Sequence, residues 1–312
     1  MSVTGHTDIV LTGLIGSNPL GALAAFGLLR VCGEIPTLLK ARLSWRIEDD
    51  WIAVLTLPGQ IDENGLIACL SIRQQARQLD VFRWSPDIRV LPNEYREHLI
   101  QQAERARYYD RWNADYYAAF GSEMVTDGSK KLVKPTAFHM TSGQQNFLES
   151  VMELAESMHS RCSVALKEAL FGPWTYNDDQ HHLGLDPASE RLYALRHKKP
   201  EKDRVKRSVL AAVWLAIEAL PLFPTTVARG RLATTGFMRS DGNTRLVWPI
   251  WTEPISLDTL KTLIASAELA GEIGELESLG RRGVTTVYGA VRSDFGQGYA
   301  ILRPATLVWS DS

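Results

Sequence analysis

The pattern of hydrophobic and polar positions is densest over residues 9–33, IVLTGLIGSNPLGALAAFGLLRVCG. The apolar run 9–14 predicts a strand, punctuated by Gly13 and Gly16. Asn18 is a good helix N-cap and Pro19 a good first helical residue, because proline lacks only an N–H that would be unpaired there. From Leu20 to Val31 every residue except Gly21, Gly27 and Arg30 is apolar, and Gly33 is a natural stop. A helix with no polar face belongs inside a protein. At about a dozen residues it is too short to span a bilayer. It also lacks the basic n-region and A-x-A site of a signal peptide. Its small residues, Gly21, Ala22, Ala24, Ala25 and Gly27, let neighbouring backbones approach closely.

Alternation over 41–46 and 51–57, flanking Glu48, Asp49 and Asp50, predicts a hairpin. Asp62 caps a predicted helix to Leu79, with Leu66, Ile67, Leu70 and Ile72 as its apolar residues. Pro92 or Asn93 opens a long polar helix towards Phe120. There Arg96, Arg105, Arg107 and Arg111 interleave with Tyr108, Tyr109, Trp112, Tyr116 and Tyr117. That mixture suits stacking on bases, and equally a surface helix with its aromatic side turned inward. A strand at 122–126 precedes Lys130, Lys131 and Lys134. Thr141 or Ser142 caps a helix to about Met158, where Gln144 and Gln145 can reach back to the cap or bond a phosphate. Further helices are predicted at 163–170, 208–219, from Ser256, and at 266–276. Strands are predicted at 191–195, 229–237, 244–249, 284–292 and 299–302. The pattern as a whole is α+β and predominantly helical, with a buried N-terminal helix and several short antiparallel strands and hairpins. It predicts one large domain over 1–312, with a candidate division into two subdomains near 121–140.

A net charge of −2 confines any nucleic-acid contact to local patches. The densest lies at 196–207, where Arg196, Lys198, Lys199, Lys202, Arg204, Lys206 and Arg207 stand against Glu201 and Asp203. This excess makes it the first candidate for phosphate contact; a solvated surface run is the plain alternative. Lys130, Lys131, Lys134, Gln144, Gln145 and the loop residues Ser17 and Asn18 complete the candidate nucleic-acid-binding set. Cys32, Cys69 and Cys162 lie far apart and form no C-x-x-C, which points to reduced thiols in the cytoplasm. There is no P-loop, no G-x-G-x-x-G between strand and helix, no G-x-S-x-G elbow, no H-E-x-x-H and no zinc ligand set. No catalytic residue, metal or cofactor is therefore expected. Asp178, Asp179, His181 and His182 have the side chains of a divalent metal site at poor spacing. They define an alternative, a metal-dependent nuclease or hydrolase; a protein-only scaffold with aromatic surfaces is a third reading.

Asn18-Pro19 followed by Leu23-Ala24-Ala25-Phe26-Gly27-Leu28-Leu29-Arg30 resembles the N-terminal pattern of proteins from type I CRISPR loci of subtype I-U or I-G. Residues 141–147, 185–195, 220–224, 234–237 and 248–251 look like the same pattern. The resemblance implies a subunit of the crRNA-guided surveillance complex, Cascade, similar to a reduced large subunit. Such a subunit is a non-enzymatic protein of antiviral defence. It would bind crRNA and target double-stranded DNA, sit beside the backbone and other Cascade subunits, contribute to PAM recognition and touch no membrane.

Overall fold

β1 (His6–Ile15) and α1 (Pro19–Cys32) form where the pattern places them. Asn18 Oδ1 accepts from the N–H groups of Leu20 and Gly21 at 2.8 and 3.2 Å, and every residue of α1 is buried. β2 (Arg42–Ile47) and β3 (Trp51–Pro58) are the expected hairpin. β3 pairs antiparallel with both β1 and β2, so β1 and β2 run parallel on either side of it with α1 as their crossover, a split β-α-β unit. The computed structural model describes residues 5–108, 111–141, 145–189, 207–240, 242–270, 273–295 and 299–311.

α2 (Glu63–Ala76) is capped by Asp62, whose Oδ1 accepts from Gly65 N at 2.8 Å; it stops before Leu79, and the short α3 (Asp80–Arg83) follows. The long helix expected from Pro92 to Phe120 is instead two, α4 (Pro92–Arg105) and α5 (Trp112–Phe120). The break lets Trp112, Tyr116, Tyr117 and Phe120 all turn into the core, which no straight continuation of the arginine-bearing face would allow. β4 (Gly121–Asp127) and β5 (Leu132–Pro135) make a hairpin. α6 (Phe147–Phe171) comprises the two helices expected to about Met158 and over 163–170, joined across a kink at Arg161 (φ −125°, ψ 18°). Its N-cap position is Asn146, and Thr141 is buried ahead of it.

α7 (Leu210–Ala219) is buried on every side and lies along α1. A Cβ added at Gly27 would stand 1.7 Å from Leu215 O, so the two backbones touch there. β6 (Thr225–Ala228) and β7 (Arg231–Thr234) pair across a turn at Arg229 and Gly230, φ 51° and 71°, so the strand expected over 229–237 begins in that turn and is broken again at Gly236, φ 76°. β8 (Phe237–Ser240) then pairs with β9 (Asn243–Trp251). Ser256 caps α8 (Leu257–Ile264), its Oγ accepting from Thr259 N at 3.3 Å. In place of a helix over 266–276 come a 3-10 turn, Ala267–Ala270, and α9 (Ile273–Gly280). β10 (Val284–Asp294) and β11 (Ala300–Leu302) were expected; β12 (Thr306–Ser310) was not.

The second sheet runs β11-β10-β9-β8, with β12 also on β10. Leu43 of β2 and Ile255 exchange backbone bonds of 3.0 and 2.9 Å, tying the two sheets together. One hydrophobic core joins them, with Phe26, Trp45 and Trp251 in mutual ring contact at its centre. Trp248 and Trp251 are core residues whose indole N–H groups donate to Gly16 O and Leu43 O at 2.9 and 2.8 Å. With helix at 42% and strand at 28%, the fold is α+β. No helix among the described residues is long and apolar enough to cross a membrane.

Candidate anion-binding cleft

Four helices, α1, α2, α4 and α8, run towards one cleft, and each carries a cation in its last turn: Arg30, Arg73, Arg105 and Lys261. A helix C-terminus carries about half a negative charge, so a cation there is locally favoured. The cleft has a volume of about 1330 Å³. Arg77 and Arg111 join those four cations in its wall, against two carboxylates, Glu34 and Asp115. Pro221, Leu222, Pro224 and Leu257 supply an apolar side, and Gln78 and Gln102 supply amides.

Behind Arg30 and Arg73 lies Glu218, with no exposed surface. Arg30 Nη1 meets its Oε2 at 3.1 Å and Arg73 Nη1 meets its Oε1 at 2.5 Å. Tyr116 OH stands 3.3 Å from Oε2 and donates to Ile217 O at 3.0 Å. Glu34 holds the outer ends of the same arginines, at 2.9 and 2.6 Å. Burial works to raise the Glu218 pKa, but the charges of Arg73, Arg77 and Arg30 outweigh it and hold the carboxyl below its usual range.

Arg77 is left over. Its Nε comes no nearer than 3.7 Å to Glu218 Oε1, and Nε and Nη2 are buried without a hydrogen-bond acceptor. The side chain is 7% exposed and lies over the ring of Trp112, whose face also takes Arg30 and Arg73 at 4.0 and 4.8 Å from its centroid. Desolvation pushes the Arg77 pKa down to about 10, a value at which it is still a cation at neutral pH. Three guanidiniums thus share two carboxylates, and one positive charge is in surplus. At the rim, Arg111 bonds Asp115 at 2.9 and 3.1 Å, and Lys261 stands 3.6 Å from Asp258. Arg105 is exposed and forms no ion pair among the described residues. The N-terminus of α5 opens on the cleft through Trp112 and Asn113, and its N-cap position, Arg111, makes no side-chain cap bond.

Comparison with family models, with curated proteins and with solved structures finds no match.

Among the described residues, none of the candidate nucleic-acid-binding set lines this cleft. Lys130 and Lys131 are exposed at the β4–β5 turn, and Lys134 is half-buried on β5. Gln145 is exposed just ahead of α6. Arg207 is exposed, and its carbonyl accepts from Ser189 Oγ at 2.7 Å. Gln144, Arg196, Lys198, Lys199, Lys202, Arg204 and Lys206 lie outside the described residues. Ser17 donates to Asp50, while Asn18 caps α1 and donates from Nδ2 to Asp186 Oδ1 at 3.3 Å, so both are held by internal bonds.

The arginine–aromatic stretch divides only in part as its inward-facing reading required: Trp112, Tyr116 and Tyr117 are buried and Arg105 and Arg111 reach the cleft, but Tyr108 is exposed and Tyr109 lies outside the described residues. Arg30, Arg73, Arg77 and Lys261 went unnoticed. A signal existed for the first. Arg30 is the one charge in the apolar run 20–31, and Glu218 the one charge in 208–219. Two buried segments with one opposite charge each call for that pairing, because an unpaired buried charge is prohibitive.

The Asp178 cluster is arranged otherwise than a metal site requires. Asp178 faces His181 Nδ1 at 3.1 Å and accepts from Ser208 Oγ at 3.0 Å, while Asp179 is exposed and His182 Nδ1 accepts from Gly184 N at 3.2 Å. Among the described residues, no three of His, Cys, Asp and Glu are placed to hold a metal ion.

Proposed function

We propose that this chain is a non-catalytic subunit of a crRNA-guided type I CRISPR surveillance complex, binding crRNA and target DNA and contributing to PAM recognition. The resemblance of residues 18–30 motivates the complex. The observation that carries nucleic-acid binding is the cationic cleft, which holds a surplus buried guanidinium and exposed Arg105 and Arg111 in an otherwise near-neutral molecule. Sequence-independent contact with phosphates needs no more than such placed cations. The outer face of the first sheet is a poor platform for bases, because β1 and β3 present Asp8, Thr12 and Thr56 there and the ring of His6 only at its end. The three separate thiols suit a reducing compartment, so the reading takes the protein as cytoplasmic.

The test is fluorescence anisotropy of labelled single-stranded RNA, single-stranded DNA and duplex DNA at several salt concentrations. Replacing Arg105, Arg111 and Lys261 with Gln removes three candidate contacts. For single strands this flattens the log–log salt slope by about 2, at about 0.7 per phosphate contact. A parallel variant replaces Lys198, Lys199, Lys202, Arg204, Lys206 and Arg207. Absence of salt-dependent binding in the unaltered protein, alone and with crRNA, refutes the reading. A protein-only scaffold would give that result and would not crosslink to nucleic acid.

A further inference from the structure

We infer that the two hairpins β4–β5 and β6–β7 together form a contact for the phosphate backbone of duplex DNA, apart from the cleft. The inference rests on the nucleic-acid reading above and deepens it: it names the form of nucleic acid held and the side chains that hold it.

The two hairpins share one root. Thr225 Oγ1, at the start of β6, donates to Ala118 O at 2.9 Å and lies 3.2 Å from the carbonyl of Gly121, where β4 begins. Thr234 Oγ1, at the end of β7, accepts from Ala137 N at 3.0 Å and stands 3.4 Å from Thr136 Oγ1, just beyond β5. From that root β6 and β7 pack beside β4. The strand residues of β6 carry its turn about 10 Å outward, at about 3.3 Å per residue. Both turns stand clear of the rest of the molecule: a Cβ added at Gly128 or at Gly230 would meet nothing within 4 Å.

Residues 121–135 and 225–234 carry five cations, Lys130, Lys131, Lys134, Arg229 and Arg231, against Glu123 and Asp127. The two sets are far apart in the sequence, and only the packing of the hairpins joins them. All but the half-buried Lys134 are exposed, and none of the five forms an ion pair among the described residues. Asp127 Oδ1 is taken by Gly128 N at 2.8 Å. Lys131 and Arg229 also sit where local stability would not put them. Their φ angles, 48° and 51°, lie in the left-handed region that favours Gly, Asn and Asp. With Gly230 at φ 71°, Arg229 holds the first central position of a two-residue hairpin turn, where Asn is the usual residue. A long cation at each of these positions costs the fold, and no side-chain bond among the described residues offsets it. Strain kept at exposed tips points to a role outside the fold.

The form of the ligand follows from what the hairpins lack. Neither segment contains an aromatic residue, so neither offers a platform for the unstacked bases of a single strand. In a duplex the bases are already stacked, and placed cations need only reach phosphates. The major groove of B-form DNA is about 12 Å wide and admits a two-stranded β-ribbon. That of A-form RNA is too deep and narrow for side chains to read.

The experiment is fluorescence anisotropy of the purified full chain over a range of salt concentrations. The probes are a short labelled DNA duplex of mixed sequence, one of its single strands, and the matching RNA duplex. K131N/R229N keeps or raises the melting temperature, because Asn suits both backbone conformations. It flattens the log–log salt slope for the DNA duplex by about 2, at about 0.9 per phosphate contact, and weakens duplex binding about tenfold or more at moderate salt. K130Q/R231Q, at exposed positions that tolerate change, gives a comparable loss. Binding of the single strand falls far less in both. Duplex binding by both variants equal to that of the unaltered protein overturns the inference; lysines that merely keep strand edges from pairing with other chains would give that result. Equal losses on the single strand, or on the RNA duplex, overturn the assignment to duplex DNA. An unaltered protein that binds single strands and not the DNA duplex sinks this contact and leaves crRNA binding by the proposed subunit standing. One that binds no nucleic acid refutes both.

Discussion

Glu218→Gln probes the charge arrangement behind the cleft most directly. The amide keeps the shape of the side chain and removes one negative charge from the reach of Arg30, Arg73 and Arg77. Taking one partner out of a buried ion pair costs about 3–5 kcal/mol, because the other is left charged and unpaired. Glu34 still holds the outer ends of Arg30 and Arg73, which places the expected loss near the lower end, about 3 kcal/mol. At about 2 °C per kcal/mol for a large domain, the melting temperature falls by about 6 °C. The Glu218 carboxyl titrates below its usual value of 4.5 in the fold. A depressed folded pKa gives stability that is present above the unfolded value and lost as pH falls through the folded one. The gap between the variant and the unaltered protein is therefore full at pH 7 and shrinks on acidification below 4.5. Urea denaturation across that range measures it. Adding R77M to the variant restores stability, since it removes the cation with the poorest remaining partners. A loss under about 1 kcal/mol at pH 7, or a gap indifferent to acid, would refute the argument.

Gly27→Ala sets a Cβ 1.7 Å from Leu215 O, a backbone atom between two fully buried helices, so α1 and α7 must separate. Loss of more than about 4 kcal/mol or failure to express in soluble form is expected, and a near-normal denaturation midpoint would contradict the packing. Asp186 is 1% exposed, and burial raises its pKa above 3.8. A raised folded pKa gives stability below the unfolded value that is lost as pH rises through the folded one. Asp186→Asn escapes that loss while its carbonyl can still accept from Ala188 N and Asn18 Nδ2, so at pH 7 it is as stable as the parent or more so. A variant clearly less stable at pH 7 than at pH 3.5, relative to the parent, would show that the carboxylate is needed there.

What the sequence made legible was local. The Asn18, Asp62 and Ser256 caps, the β2–β3 hairpin and the wholly apolar helices α1 and α7 each rest on a few neighbouring residues, and each formed. The α4–α5 break has no Gly or Pro between Arg105 and Trp112 to announce it. It answers to the core, where Tyr116 must reach Ile217 O from 101 residues away. The turn at Arg229 and Gly230 and the break at Gly236 hid for a like reason, at the start of and within a run that alternated well enough to pass as one strand. The cleft was hidden more deeply. It is assembled from the last turns of four helices spread over more than 200 residues, and a cation in a last turn is an ordinary helix feature until the fold brings several together. Only the lone charges Arg30 and Glu218 carried the pairing in their surroundings.

The bond from Ser189 Oγ to Arg207 O has a consequence of another kind. With the Asp178–Ser208 bridge beside it, at 3.3 and 2.7 Å, it sets residues 189 and 207 side by side. Doubling or halving the length of a connection between fixed ends changes its closure cost by only about 0.6 kcal/mol. Residues 190–206 hold seven Lys and Arg against Glu190, Glu201 and Asp203, a net charge of +4 in a molecule of net charge −2. Without them the formal net charge would be −6. The charge balance of the molecule thus hangs on one stretch of sequence whose two flanks, Ser189 and Arg207, are bonded to each other.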